Sequence, residues 1–371
     1  MPEAAAGAGM GQPVQPRPDP SAAVRPDTST EVRAAGGGTL RPAAGQRPTM
    51  VWARWARRAA PVIVIPVLLA FAPAFYNNQL FLTDLVIFGV LAQGVNLIYG
   101  YTGYLPFGYV GFFGAGAYGS YLAVHFLHSP GAVAVAAGGV TAAALGLVLA
   151  PLLRLSGAYF ALASLAASQA LYYIVSSGSL TSLTNGPFGV NLAAIFNDAQ
   201  AYYTGLVVLG VALAILVWTG HSRFGLSLRA IRSDPVSASM AGVHVVRTRT
   251  IAWLIGATLA GLGGAVFAWT TSVFYPETVF SLNISLFAIV FALFGGVGTL
   301  LGPVVGTLVL YSLYQYIGLT DPQYFQLIFG LLIVLLVLFL PGGLSSLAER
   351  VASRGWLTVR HHPERGASDA R

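Results

Sequence analysis

The residues able to do covalent chemistry are scattered along this chain. His125, His128, His221, His244 and the His361-His362 pair are too far apart to assemble by spacing. None has the ligand pattern of a metal site. Serines are plentiful, but no Ser-His-Asp set or pair of carboxylates falls within one segment. Cysteine is absent, which removes a thiol nucleophile, a disulfide framework and Cys-ligated metal. We therefore expect no catalytic residues, no metal and no cofactor. What stands out instead is a polar island, Gly220 to Thr250, carrying Arg223, Arg229, Arg232, Arg247 and Arg249 in a protein only 8% charged. Inside it, Asp234 can accept hydrogen bonds from free amides and Pro235 suits the first helical position. Gly242 can close the last turn in a left-handed conformation. Val236, Met240 and Val243 fall at i, i+4 and i+7, an apolar stripe on one side. A helix of about seven residues is marginal in water, so this one needs something to lie against.

Other polar and glycine-rich features lie in apolar surroundings. Gln93 and Asn96, three apart, share a helix face. They serve either as an interhelical hydrogen bond or as polar contacts for a solute. Gly114, Gly116 and Gly119 match G-x-G-x-x-G, but inside an apolar run with no preceding strand. Close helix packing through small residues is the plainer reading; an interrupted helix lining a path is compatible with it. The translocation-path candidates are Gln93, Asn96, Phe112, Phe113 and Tyr118. Gly295 to Pro303 resembles a phosphate loop, yet the chain has no Lys, so the Walker pattern fails. Asp84 sits near a span end within reach of water, so no proton relay follows from it.

These features must be carried by membrane helices. Hydrophobic residues make up 56% and mean hydropathy is +0.72. A crossing needs about 20 mostly apolar residues. The fold class is all-α, a polytopic bundle of about ten spans, expected at 59–76, 81–99, 106–127, 132–153, 157–176, 202–219, 250–270, 282–297, 303–318 and 324–340. The net charge of +7 does not indicate nucleic acid, because all basic residues are Arg and most lie in tails or between spans. With Arg54, Arg57 and Arg58 inside, Arg154, the island and Arg350, Arg354 and Arg360 also fall inside. Asp198, Glu277 and Asp321 fall outside. Both termini are thus expected in the cytoplasm. Trp52, Trp55, Trp218, Trp253, Trp269, Tyr202 and Tyr203 read as an aromatic interface belt. Residues 1–50 read as a disordered tail, 51–343 as the transmembrane domain with the loop 220–249, and 344–371 as a cytoplasmic tail. A cleaved signal is not expected, since the first apolar run begins near Ala59; a misassigned start codon is the alternative for much of the tail.

From Phe81 to Gly343 the chain resembles the second of the two homologous permeases of ABC importers for branched-chain amino acids. The resemblance rests on Gly100-Tyr101-Thr102-Gly103 leading into Phe112 to Tyr118, Ser156 to Leu162, Ser222-Arg223-Phe224-Gly225 with Leu228 to Arg232, Gly295 to Pro303, and Leu340 to Leu344. It implies a bacterial inner-membrane permease working with a homologous second permease, two cytoplasmic ATPases and an extracytoplasmic solute-binding protein. It also implies that Arg229, Arg232, Asp234, Pro235, Val236, Met240 and Gly242 belong to the loop that couples to the ATPase. The sequence departs from the family's pattern at Pro235 and Ser239, where acidic residues are frequent, and at Phe107-Gly108-Tyr109, where a Gly-His pair is usual. Such permeases also carry urea, short amides and other small polar solutes, so the solute stays open. The alternative is a secondary transporter or channel acting alone. It is disfavoured because the acidic residues sit at span ends.

Overall fold

The structure, a computed structural model, describes residues 49–320 and five isolated positions between 327 and 344. The tail expected over 1–50 lies outside the described residues but for its last two. The tenth span and the C-terminal tail lie outside them but for those isolated positions. The helices that matter are α1 (Thr49–Ala70), α2 (Gln79–Val95, widening into a π turn at Asn96–Gly100), α3 (Val110–Leu127), α4 (Gly131–Val148), α5 (Gly157–Val175) and α6 (Asp198–His221). After them come α7 (Arg223–Ser233), α8 (Pro235–Met240), α9 (Val245–Thr271), α10 (Leu282–Gly295) and α11 (Gly302–Thr320).

Seven helical stretches among the described residues are long and apolar enough to cross a membrane: Gln79–Gly100, Phe107–Leu127, Gly131–Val148, Gly157–Val175, Asp198–His221, Val245–Thr271 and Pro276–Gly295. They coincide with seven of the ten expected spans; the count of ten is not reproduced. The stretch expected at 59–76 supplies only a shorter apolar helix, Ala60–Phe75, and α11 is not among the seven. Side chains cap the starts of two of these helices, ahead of the expected span boundaries at 81 and 202: Asn78 accepts from the Phe81 amide (3.1 Å) and Asn197 from that of Gln200 (3.0 Å).

Helix α9 is the axis of the bundle and packs on α4, α3, α2 and α6. At 27 residues it is about 40 Å long, more than the hydrocarbon needs. It begins at Val245, earlier than the span boundary at 250, so Arg247 and Arg249 stand on its first turns. Lipid tails are as apolar as the side chains they would replace, so association rests on close contact rather than on exclusion from water. Backbone meets backbone at one three-helix junction: a Cβ added to Gly116 of α3 would strike the Gly261 carbonyl of α9, and one added to Gly138 of α4 would approach the Gly116 carbonyl. Gly264 presses on the Phe113 carbonyl in the same way. The G-x-G-x-x-G match is therefore a packing seam.

The aromatic belt divides. Trp218 and Tyr203 are exposed, but Trp253, Trp269 and Tyr202 are buried and cap backbone carbonyls. Pro73 has no N–H for the carbonyl of Leu69, four residues earlier, and the Tyr202 hydroxyl donates to that oxygen instead at 2.5 Å. Trp253 donates to Gly146 O near the end of α4 (3.0 Å), and Trp269 to Ile195 O (2.7 Å). Without water in the hydrocarbon, broken helix ends need such donors. The end of the bundle opposite α7 and α8 is tied by an antiparallel bridge of β1 (Val190–Asn191) with β2 (Val273–Phe274).

The junction yields a direct test. Gly261→Leu should cost more than the roughly 1–3 kcal/mol of ordinary overpacking, since the Ala142 Cβ and Gly138 carbonyl it would meet cannot swing aside as a long side chain can. Gly178→Ala, which meets nothing within 4 Å, should stay within about 0.5 kcal/mol. Thermal midpoints in detergent check both.

Candidate functional site

The polar island folds into two helices. Ser222 caps α7 by accepting from the Gly225 amide at 3.2 Å, and Leu228 and Ile231 bury one face of that helix. Asp234 then caps α8, accepting from the amides of Val236 (3.0 Å) and Ser237 (3.1 Å) and from the Ser237 hydroxyl. Pro235 occupies the first turn and loses nothing by lacking an N–H. At the other end Gly242 has φ +85°, its amide donates to Ser239 O and the Val243 amide donates to Ala238 O, both at 3.0 Å. Those two bonds form a Schellman closure that satisfies carbonyls of the last turn. The helix is thus fully capped, yet only Ala238 is buried. Val236 is 63% exposed and Met240 85%. Two apolar side chains of the expected stripe therefore stand in the open.

Three arginines of the island hold the connection between α2 and α3. Arg232 donates to the Gly100 carbonyl, where the π turn ends. Arg229 donates to Gly220 O at 2.8 Å and lies 5.9 Å from the centre of the Tyr101 ring. Arg249 lies 4.6 Å from that of Tyr104, close enough for cation–π attraction. Composition suggested that these charges set topology; the structure adds that they touch Gly100, Tyr101 and Tyr104. The glycine- and tyrosine-rich run was the available signal, but nothing in it names an arginine partner.

Gln93 and Asn96 are fully buried, and their amides go to protein. Asn96 donates to Thr299 O (2.8 Å) and to Gln93 Oε1 (3.3 Å), and accepts from the Gly298 amide (2.6 Å). Gln93 donates to Leu300 O at 2.9 Å. Together they fasten α2 to the turn joining α10 and α11. Of the two readings open at the outset, the interhelical bond describes this conformation. Phe112 and Phe113 are also packed in the core, Phe112 edge-on to Trp253 at 4.9 Å. Tyr118 is buried against Phe274 and Phe280, with no hydrogen-bond partner for its hydroxyl among the described residues. Asp84, expected within reach of water, accepts a hydrogen bond from Tyr311 at 3.0 Å. No group of three or more His, Cys, Asp or Glu able to hold a metal comes together among the described residues.

Spanning helices interrupted at Gly100 to Pro106, with a capped helix displayed at one end, define a multi-pass α-helical membrane protein. The family model for the permease component of branched-chain amino acid transport systems matches residues 79–337. The chain belongs to this family of ABC transporter permeases. It is 25% identical to the high-affinity branched-chain amino acid transport system permease protein LivM of Salmonella typhimurium over 294 residues, 71% of this chain and 68% of LivM. It is 27% identical to LivH of the same organism over 177 residues, 46% of this chain and 56% of LivH. Against the fructose import permease protein FrcC of Rhizobium meliloti, identity is 32% over 158 residues, 40% of this chain and 43% of FrcC. No solved structure matches the chain significantly.

Two expectations follow from this geometry. Asn96→Ala would strip partners from the Gly298 amide and Thr299 carbonyl, and should cost about 1–3 kcal/mol per orphaned group, read as a lower thermal midpoint. The hydrogen bonds from the Ser237 hydroxyl and from the Val236 and Ser237 amides hold the Asp234 carboxyl below the usual carboxylate range. Its capping contribution is then full above the unfolded carboxylate pKa of about 3.9 and is lost as pH falls through the lower folded value. Hydrogen exchange at the Val236 and Ser237 amides should keep its protection down to pH 4 and lose it below.

Proposed function

We propose that this permease moves branched-chain amino acids, or a related small polar solute such as urea or a short amide, into the cell and hydrolyses nothing itself. Energy enters where a separate cytoplasmic ATPase grips α8. The observation that carries this reading is a short helix capped at both ends that leaves Val236 and Met240 in the open. Marginal helices of this length persist against a partner. Arg229, Arg232, Asp234, Pro235, Val236, Met240 and Gly242 form the coupling element in this reading. Force on it passes from Arg232 to the Gly100 carbonyl, and from α2 through Asn96 and Gln93 to the turn between α10 and α11. The buried Gln93, Asn96, Phe112, Phe113 and Tyr118 would line the path in another state, in which these contacts have parted.

The proposed partners are a homologous second permease, two ATPases and an extracytoplasmic solute-binding protein. LivM and LivH of one organism are both named as permeases of the high-affinity branched-chain system, and both are similar to this chain, which supports a paired arrangement. The topology we propose puts both termini, Arg154 and the island in the cytoplasm, following the arginine distribution.

Gly242→Val tests the coupling role. A Cβ there meets nothing within 4 Å, so the change acts through its left-handed backbone, at about 1–2 kcal/mol. Membrane insertion should be unchanged, and solute-stimulated ATP hydrolysis by the assembled complex should be lost; unaltered stimulation would refute the assignment. Because the chain has no native cysteine, Ser237→Cys and Ser239→Cys offer clean cross-linking sites, and each should capture the ATPase subunit.

A further inference from the structure

Two guanidiniums share one cavity without a carboxylate. A space of about 460 Å³ lies between the end of α4, the turn that follows it and the first turns of α9. Its walls include Leu147, Pro151, Leu153, Arg154, Val246 and Arg249, and no acidic residue is among the described ones that line it. Arg154 is exposed and has no hydrogen bond or ion pair with the described residues. Arg249 rests against the Tyr104 ring, but its Nε–H is buried with no acceptor among the described residues. Like charges on one cavity repel, and a buried donor without an acceptor is costly. An anion between them relieves both.

The setting says which anion. Leu147 lines the cavity and is 62% exposed, continuing the outward apolar face that Val140 and Val148 form on α4. In a membrane that face meets acyl chains, and Arg154 stands just past the helix end, which the topology proposed above puts at the cytoplasmic headgroups. Basic pockets between spans at this depth suit lipid headgroups. We propose that Arg154 and Arg249 hold the phosphate of an anionic phospholipid whose acyl chains lie along Val140, Leu147 and Val148. The planar fork of each guanidinium matches phosphate oxygens better than an ammonium would.

Native mass spectrometry of the full-length chain in nonionic detergent tests this, with phosphatidylglycerol, phosphatidylcholine or inorganic phosphate added. Wild type should retain phosphatidylglycerol in preference to phosphatidylcholine. Arg154→Gln, which removes no hydrogen bond or ion pair among the described residues, should keep the wild-type thermal midpoint without lipid and bind phosphatidylglycerol about fivefold more weakly. Arg154→Gln with Arg249→Gln should weaken it by about 25-fold, with Arg249→Lys intermediate between wild type and Arg249→Gln. Equal phosphatidylglycerol affinity in wild type and Arg154→Gln would overturn the proposal. So would equal retention of phosphatidylcholine, or inorganic phosphate competing with the lipid at millimolar concentration, which would mark a site for soluble anions.

Discussion

Asn96 spends both ends of its amide on a turn about 200 residues away, and the packing of α2 against α10 and α11 depends on that clamp. The turn from Gly296 to Leu301 has no helix to satisfy its peptide groups. By taking the Gly298 amide and the Thr299 carbonyl, with Gln93 on Leu300, α2 supplies the missing partners. The same anchoring fixes where α2 stops and turns the Gly100 carbonyl toward Arg232. One amide side chain thus joins the α10–α11 hairpin, the break between α2 and α3, and the helix leading to α8.

The rest of the bundle is held by proximity. Where Gly116, Gly138 and Gly261 meet, the helices approach to backbone contact, and every pairwise dispersion term is shortened to its useful range. Some buried aromatic residues add more than bulk, donating to carbonyls at broken ends, as with Tyr202 on Leu69 and Trp253 on Gly146. The seam around α9 lies beside an interrupted α2–α3 connection that Arg229, Arg232 and Arg249 hold in place.

Much of this was legible from local patterns. Asp234, Pro235 and Gly242 announce a capped helix because capping is settled within four residues. The seven spans are visible because a crossing is a matter of length and apolarity. What escaped notice depends on distant partners. The second helix of the island, α7, lay hidden in a stretch read as polar loop, although Ser222 and the buried pair Leu228 and Ile231 mark it in hindsight. Trp253, Trp269 and Tyr202 looked like belt residues because a span end in sequence need not lie at the surface of the bundle.

By itself the sequence determined an arginine-rich, cysteine-free membrane chain, the family to which it belongs, and the start and stop of its short surface helix. Each of these follows from composition or from neighbours a few residues apart. Tertiary structure decided that Gln93 and Asn96 grip a turn, that Arg229, Arg232 and Arg249 hold the α2–α3 connection, and that a glycine motif is a three-helix seam. A buried amide or a guanidinium bonds to whatever the fold brings near, and sequence spacing carries no record of a partner more than 100 residues away.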